Sequence, residues 1–352
     1  MNRLVVRAPN HLGELILSVP ALQRAATDEA AAGRSPPIVQ IVSWLAPLLR
    51  WAVTGAEVLP LDNRRACRRA ARAIRIAADG FSIRGVTLTP SFSSAFILRL
   101  AGVTSLRGTA GDFRTWLLTD AVDRAPLLAG HRVDEYLSLL GYDRAAEPAR
   151  PALGDTAVAR TAWDSAERRL GISGAMRGQR VVGLFPGANG HARRWPATRF
   201  EDLADRLSAV AGRTLVFGGT SDRPLTERVA ARAGKGGIDL GGRTSLMELA
   251  GGLLSCDLLI TNDTGPMHLA AALGVPVLAL EGPADIRQTR PLGARVRLLG
   301  RFDLPCVPCV RNECPRTGVG YELAEARGEC LRLIEVREVE AAALAMLNEE
   351  SA

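Results

Sequence analysis

Residues 258–274 read LLITNDTGPMHLAAALG. The apolar run from Leu258 to Thr261 has the length of a strand. Asn262 and Asp263 end it, and Thr264, Gly265 and Pro266 open a helix of small residues that stops at Gly274. Asp263 or Thr264 suits the N-cap, Pro266 suits the first turn, and Gly265 lets a ligand approach bare backbone. A helix start carries free N–H groups and the positive end of the dipole, so the segment predicts a strand–turn–helix unit fit to receive phosphate. His268 falls in that first turn. The same residues also read as a plain cap with a satisfied histidine, so a phosphate site needs further donors.

The alternation runs outward from this segment. Short β-branched runs at Arg3–Arg7, Val39–Ser43, Gly85–Thr89, Val181–Phe185, Thr214–Phe217 and Val275–Leu280 are separated by helical patterns. Apolar strands spaced by helices imply βαβ units and parallel sheets, an α/β fold. A chain of 352 residues exceeds one ordinary core and fits two domains. Strand signals lapse between Tyr142 and Gly178, which places the domains at 1–155 and 156–352. Val181–Phe185 followed by Pro186, Gly187 and a helix mirrors Arg3–Arg7 followed by Gly13 and a helix. Two Rossmann-like halves facing one another are expected, with ligands at the carboxyl ends of the strands.

An apolar fraction of 47%, 23% charged residues and a mean hydropathy of +0.08 exclude a disordered, collagenous or disulfide-dense chain. No run reaches the roughly 18 apolar residues of a membrane span, and the N-terminus has no secretion-signal pattern, so a cytoplasmic location is expected. The net charge of +7, carried almost wholly by arginine since Lys235 is the only lysine, suggests an anionic partner or a compositional bias. With eight Phe, five Trp and three Tyr and no basic–aromatic interleaving, nucleic acid is not expected. The stretch from Asn63 to Ala78 reads as a helix carrying Arg64, Arg65, Arg68, Arg69, Arg72 and Arg75. It is either a solvated face or a contact for an anionic membrane surface.

Three other constellations could carry chemistry. Phe185–Phe200, FPGANGHARRWPATRF, places Gly187 and Gly190 in a turn after a strand, with Arg193 and Arg194 following. A planar guanidinium can hold a diphosphate by paired charged hydrogen bonds. Arg7–Pro20, RAPNHLGELILSVP, has a turn at Gly13 and then a carboxylate, Glu14, opening an apolar helix. Glu14 can act as a general base or simply complement the helix dipole. The tail holds Cys306, Cys309, Cys314 and Cys330, which can bind structural zinc or remain thiols; Cys67 and Cys256 read as ordinary buried thiols.

Taken together, RAPNHLGELILSVPAL, SFSSAFILRLAG, HRVDEYLSLLG, FPGANGHARRWP, GGTSD, TNDTGPMHLAAALGVPVLALEGP and CVPCVRNECP resemble glycosyltransferase family 9, the ADP-heptose:lipopolysaccharide heptosyltransferases, and look most like the heptosyltransferase II branch. The resemblance implies a GT-B fold, with acceptor bound by the first domain and nucleotide sugar by the second. It also implies an inverting transfer of heptose from ADP-heptose to a lipopolysaccharide inner-core acceptor, Kdo or heptose, with no obligatory metal. On that basis Glu14 stands where the family has a catalytic Asp, beside an acceptor-side loop of Asn10, His11 and Gly13. Arg193 stands where the family has a phosphate-binding Lys. Gly187, Asp263, Thr264, Gly265 and His268 line the diphosphate, Asp222 holds the ribose, and backbone near Thr244 lines the adenine. Glu14 departs from the family pattern by one methylene, and Arg193 keeps the charge in a different shape. The implied partners are an ADP-sugar donor, a lipid-linked anionic glycan acceptor and the inner membrane surface, touched peripherally. A nucleotide-sugar epimerase on the same plan, or a non-catalytic glycan-binding protein, remains the alternative reading.

Overall fold

The computed structural model describes residues 2–63, 66–143, 147–314 and 329–349. Two of the expected helical arginines, Arg64 and Arg65, and residues 315–328 of the cysteine tail lie outside them. The chain divides into two compact units, residues 1–155 and 156–352.

The first unit contains six strands: β1 (Asn2–Arg7), β2 (Ile38–Val42), β3 (Glu57–Leu61), β4 (Ser82–Thr87), β5 (Ser105–Thr109) and β6 (Asp120–Val122). They pair wholly parallel in the order β3-β2-β1-β4-β5-β6. The helices are α1 (Leu12–Ala31), α2 (Ala46–Ala52), α3 (Cys67–Ala78), α4 (Phe92–Leu100) and α5 (Arg132–Leu139). α3 and α4 cover the sheet through Ala70, Ile74, Ala95 and Leu98, which meet Val5, Ile38 and Leu106 in one apolar core. Parallel strands covered by helices are buried on their faces, which is why the middle of β1, Leu4–Val6, and β2 apart from Gln40 are apolar.

The second unit repeats the plan. Its strands are β7 (Val181–Phe185), β8 (Arg213–Val216), β9 (Gly237–Asp239), β10 (Leu258–Asn262), β11 (Val277–Glu281) and β12 (Val296–Gly300), in the order β12-β11-β10-β7-β8-β9. Every pair is again parallel. Its helices are α6 (Thr156–Leu170), α7 (Ala197–Leu207), α8 (Arg223–Arg232), α9 (Leu246–Leu253), α10 (Gly265–Ala272), α11 (Ile286–Thr289), α12 (Glu329–Arg332) and α13 (Val336–Glu349). α7 buries Phe200, Leu203 and Leu207 against Val182, Leu184 and Ile260, each large side chain contributing about 1.5–3 kcal/mol of transfer free energy. α6 lies directly on α9: a Cβ on Gly251 would sit 2.1 Å from the Ala159 carbonyl oxygen, so only glycine permits that approach.

Both units therefore have the order in which the chain reverses direction across the sheet beside its first strand, between β1 and β4 in one and between β7 and β10 in the other. Such a switch point leaves a crevice at the carboxyl ends of the strands. The sequence expectations catch β1, β2, β4, β7, β8, β10 and β11, β7 with its exact bounds and the others with ends shifted by up to three residues, and miss β3, β5, β6, β9 and β12. The helix expected from Asn63 begins at Cys67, and Cys67 is only partly buried, unlike Cys256.

Candidate functional site

At the carboxyl ends of β7 and β10, the buried Asn262 ties the corner of the second unit together. Its Oδ1 accepts from the Trp195 N–H at 3.0 Å and its Nδ2 donates to the Pro186 carbonyl at 2.7 Å. The link fixes the 186–195 loop, which carries a short 3-10 turn, His191–Arg193, across the end of β10. Trp195 anchors the far side, buried edge-on against Phe200 with its indole N–H donating to the Ile334 carbonyl. Asn312 lies over Gly190, whose φ is +103°, and its carbonyl accepts from the Ala192 N–H.

The result is a charged pair at the switch point. Arg193 Nη1 donates to Asp263 Oδ2 at 2.7 Å, with Asp263 almost wholly buried and Arg193 about a quarter exposed. The expectation that Asp263 or Thr264 caps the following helix is corrected. Asp263 turns to Arg193, and Thr264 holds the N-cap position with no hydrogen bond from its side chain. The start of α10 keeps an uncapped end with no acidic residue in its first turn, where an anion is favoured. His268 is buried in that turn. Arg193 Nε is buried with no hydrogen-bond partner among the described residues, so the protein leaves one donor of this guanidinium unused, and about a quarter of the side chain stays exposed.

The remaining residues expected on the donor side lie on the loops that follow β7, β8 and β9 of the second unit. Gly187 is buried directly after β7, and a Cβ there would sit 2.5 Å from Asp222 Oδ2, so glycine brings the loop against that carboxylate. Asp222 Oδ2 accepts from the Gly219 N–H at 3.0 Å, closing the Gly-rich turn after β8. Thr244 precedes the Ser245 cap of α9, which forms a reciprocal capping box with Glu248. A cavity of about 260 Å³ opens beside the loop, lined by Pro186, His191, Arg194, Ser221 and Arg228 among others; Arg193 and Asp263 are not part of its wall.

The first unit presents different chemistry at its switch point. Glu14 sits in the first turn of α1, about one third exposed. Tyr136 of α5 donates its hydroxyl to Glu14 Oε2, and Arg132 approaches the same oxygen at 3.7 Å. Oε1 has no hydrogen bond among the described residues. Burial, then the charge of Glu14, holds the Tyr136 hydroxyl well above its usual range, so it remains a donor. Asn10 accepts from the buried Arg7, and His11 is exposed at the N-cap of α1. Gly13 corrects an expectation: α1 begins at Leu12, so Gly13 lies inside the helix rather than in a turn before it.

The four tail cysteines are free thiols. Burial pushes the Cys330 thiol up to about 11, against a backbone hydrogen bond at Leu331 and with smaller contributions from Cys309, Cys314 and Cys306. Among the described residues no three His, Cys, Asp or Glu side chains are placed to hold one metal ion. On α3, Arg68, Arg69, Arg72 and Arg75 are all exposed along one side. No helix among the described residues is long and apolar enough to cross a membrane.

Besides Tyr136 and Arg132, two residues near the second corner are not expected from the sequence as site residues. Asn262 looked like the end of a strand, and Glu281, at the end of β11, lay beyond the run taken as a strand.

Comparison with known proteins agrees with this architecture. The solved structure of E. coli ADP-heptose lipopolysaccharide heptosyltransferase II matches with a TM-score of 0.79 at 24% identity, covering 99% of this chain and 100% of that one. The shared fold is the two-domain α/β GT-B fold. Among curated relatives, lipooligosaccharide heptosyltransferase 2 of Campylobacter jejuni is 36% identical over 143 residues, which is 39% of this chain and 44% of that protein's length. Lipopolysaccharide heptosyltransferase 2 of Salmonella typhimurium is 28% identical over 319 residues, covering 84% and 87%. The model of glycosyltransferase family 9 (heptosyltransferase) matches residues 77–319, well over half of the chain, and the chain belongs to that family.

Proposed function

We propose that this protein is an inverting heptosyltransferase of the heptosyltransferase II type, moving heptose from ADP-heptose to a Kdo- or heptose-bearing lipopolysaccharide core. The observation that carries the reading is the corner formed by the Arg193–Asp263 pair and the uncapped start of α10 at the switch point of the second sheet. There a cation and free amides meet in a buried setting, the arrangement a leaving pyrophosphate needs.

In the transfer, Glu14 Oε1 takes the proton of the acceptor hydroxyl as its oxygen bonds to the anomeric carbon. The bond from that carbon to the pyrophosphate oxygen breaks on the opposite face, so the configuration inverts and ADP leaves with the bonding pair. Arg193 and the N–H groups at Thr264 and Gly265 receive the developing charge, with His268 in the same turn. Tyr136 and Arg132 hold Glu14 by its other oxygen and keep Oε1 oriented. Asn10, His11 and Gly13 lie on the acceptor side. Asp222 receives the ribose, with the Gly187 loop packed on it, and backbone near Thr244 lies along the adenine. The protein itself supplies the positive charge, and the reading needs no catalytic metal or cofactor.

The acceptor is lipid-linked, which implies a cytoplasmic enzyme working at the inner membrane surface. The exposed arginines of α3 support such contact, as do Phe92, Phe113 and Trp116 in the same unit, the last two 95% and 70% exposed.

The test is turnover of ADP-heptose by the full chain with and without a Kdo-bearing lipid acceptor. The reading expects ADP release that depends on acceptor. Isomerisation of the nucleotide sugar without acceptor would replace it with an epimerase, and acceptor binding with no ADP release under any donor would leave a glycan-binding protein.

A further inference from the structure

Glu281 closes β11 at 1% exposure, an acidic residue at the end of an otherwise apolar strand. The β10–β11 ladder pairs Asn262 with Leu280. The next residues along the chain, Asp263 just past β10 and Glu281 at the end of β11, therefore stand side by side. Two carboxyls meet in one buried corner, and the cation that acts on both is Arg193, whose Nη1 is already bonded to Asp263. Glu281 Oε2 is buried with no hydrogen-bond partner among the described residues, and so is Arg193 Nε. On the other side β12 places Gly300 opposite Glu281, and the charged groups acting on it are Asp263 and Arg193.

We propose that Glu281 is a positioning residue of the anion site, its carboxyl deciding how much of the charge on Arg193 reaches an incoming pyrophosphate. The inference rests on the reading of this corner as the pyrophosphate site. Burial, then the charge of Asp263, hold the Glu281 carboxyl well above the usual carboxylate range, with Arg193 pulling the other way. With Glu281 neutral, Arg193 and Asp263 cancel, and the exposed quarter of the Arg193 side chain can turn to the ligand. With Glu281 ionised, the corner carries a net negative charge and draws the guanidinium to itself. An arriving pyrophosphate favours the protonated form, so binding takes up a proton wherever the free protein has begun to ionise there. Affinity then falls as pH rises through that ionisation, by at most about tenfold per pH unit.

The experiment is calorimetric titration of the full chain with ADP from about pH 6 to about pH 9, in two buffers of different ionisation enthalpy, for the wild type and Glu281→Gln. The wild type is expected to lose affinity more steeply with pH than Glu281→Gln, and to take up protons beyond the contribution of ADP itself, which is common to both. Glu281→Gln, a neutral carboxyl mimic, should keep the low-pH affinity of the wild type within about threefold. Superimposable pH profiles for the two proteins would overturn the inference and leave Glu281 as filler. Should Glu281→Gln fail to fold, Glu281→Met carries the same comparison of slopes. Absence of ADP binding by the wild type at every pH would instead remove the reading of the site on which the inference stands.

Discussion

The two units share one strand order, yet their switch points arrange their charged groups differently. At the end of β1 the buried guanidinium of Arg7 donates to the chain's own carbonyls, Ala8 and Gln40, and to Asn10. The helix that follows begins with a carboxylate, Glu14. At the end of β10 the cation, Arg193, keeps a buried Nε with no hydrogen-bond partner among the described residues, and the helix that follows begins with neither an acid nor a side-chain cap. A helix start already favours anions; a carboxylate placed there repels phosphate, and an arginine beside it attracts phosphate. The same topology therefore yields a corner suited to taking up a proton in one unit and a corner suited to a leaving anion in the other. Fold alone does not distinguish them.

The comparison can be broken most sharply at Glu14. Glu14→Ala is expected to lower turnover by roughly two to four decades, the usual worth of a general base, while ADP affinity measured by calorimetry stays near wild type. Unchanged turnover would mean that the first corner holds no base. Next in size, Arg193→Ala should weaken ADP binding by about 1.5–3 kcal/mol, or roughly tenfold to a hundredfold. Arg193→Lys, which restores the charge, should recover part of that loss. ADP affinity indifferent to both substitutions would show that the second corner is not an anion site.

Smaller effects sharpen the structural side. Asn262→Ala leaves the Trp195 N–H and the Pro186 carbonyl without their partner, at about 1–3 kcal/mol for each buried orphan, to be read from denaturant unfolding. A loss within error would mean that the loop is held by other contacts. The smallest effect lies outside both corners. Glu338 is held below the usual carboxylate range by the Arg301 guanidinium, then by the Glu335 backbone N–H, against a weaker effect of burial. Its folded pKa is depressed, so its contribution is complete above the ordinary value of 4.5 and is lost as pH falls through the folded value. Glu338→Gln should cost a fraction of a kcal/mol near neutral pH, since the group is well exposed, and the difference in unfolding midpoint should vanish in acid. A difference that grew in acid would reverse the assignment.

The central strands are legible because both faces are covered: β7 and the middles of β1 and β10 are apolar, with polar residues at their ends. The missed strands lie toward the sheet edges or carry mixed side chains. β3 includes Pro60, β6 and β9 are three residues long, and β12 is only half-buried along its length. Edge strands have one neighbour and tolerate polar residues and proline, so they leave little periodic signal. At the site, the strand–turn–helix around Asp263 was visible locally, whereas its pairing with Arg193 spans 70 residues and no local pattern encodes it. Tyr136 meets Glu14 across 122 residues in the same way. Gly13 was misplaced because glycine beside a polar cluster resembles a turn, while the apolar spacing of Leu12, Leu15, Ile16 and Val19 carries the helix through it. Glu281 escaped notice because a strand expected to be apolar was ended one residue early.

The most direct measurement is ADP release from ADP-heptose by the full chain, with a Kdo-bearing lipid acceptor present and then withheld, for the wild type, Glu14→Ala and Arg193→Ala. The account predicts acceptor-dependent release by the wild type, near abolition in Glu14→Ala with ADP binding intact, and loss of both binding and release in Arg193→Ala. Release by Glu14→Ala at the wild-type rate, or ADP affinity unaltered in Arg193→Ala, would contradict it.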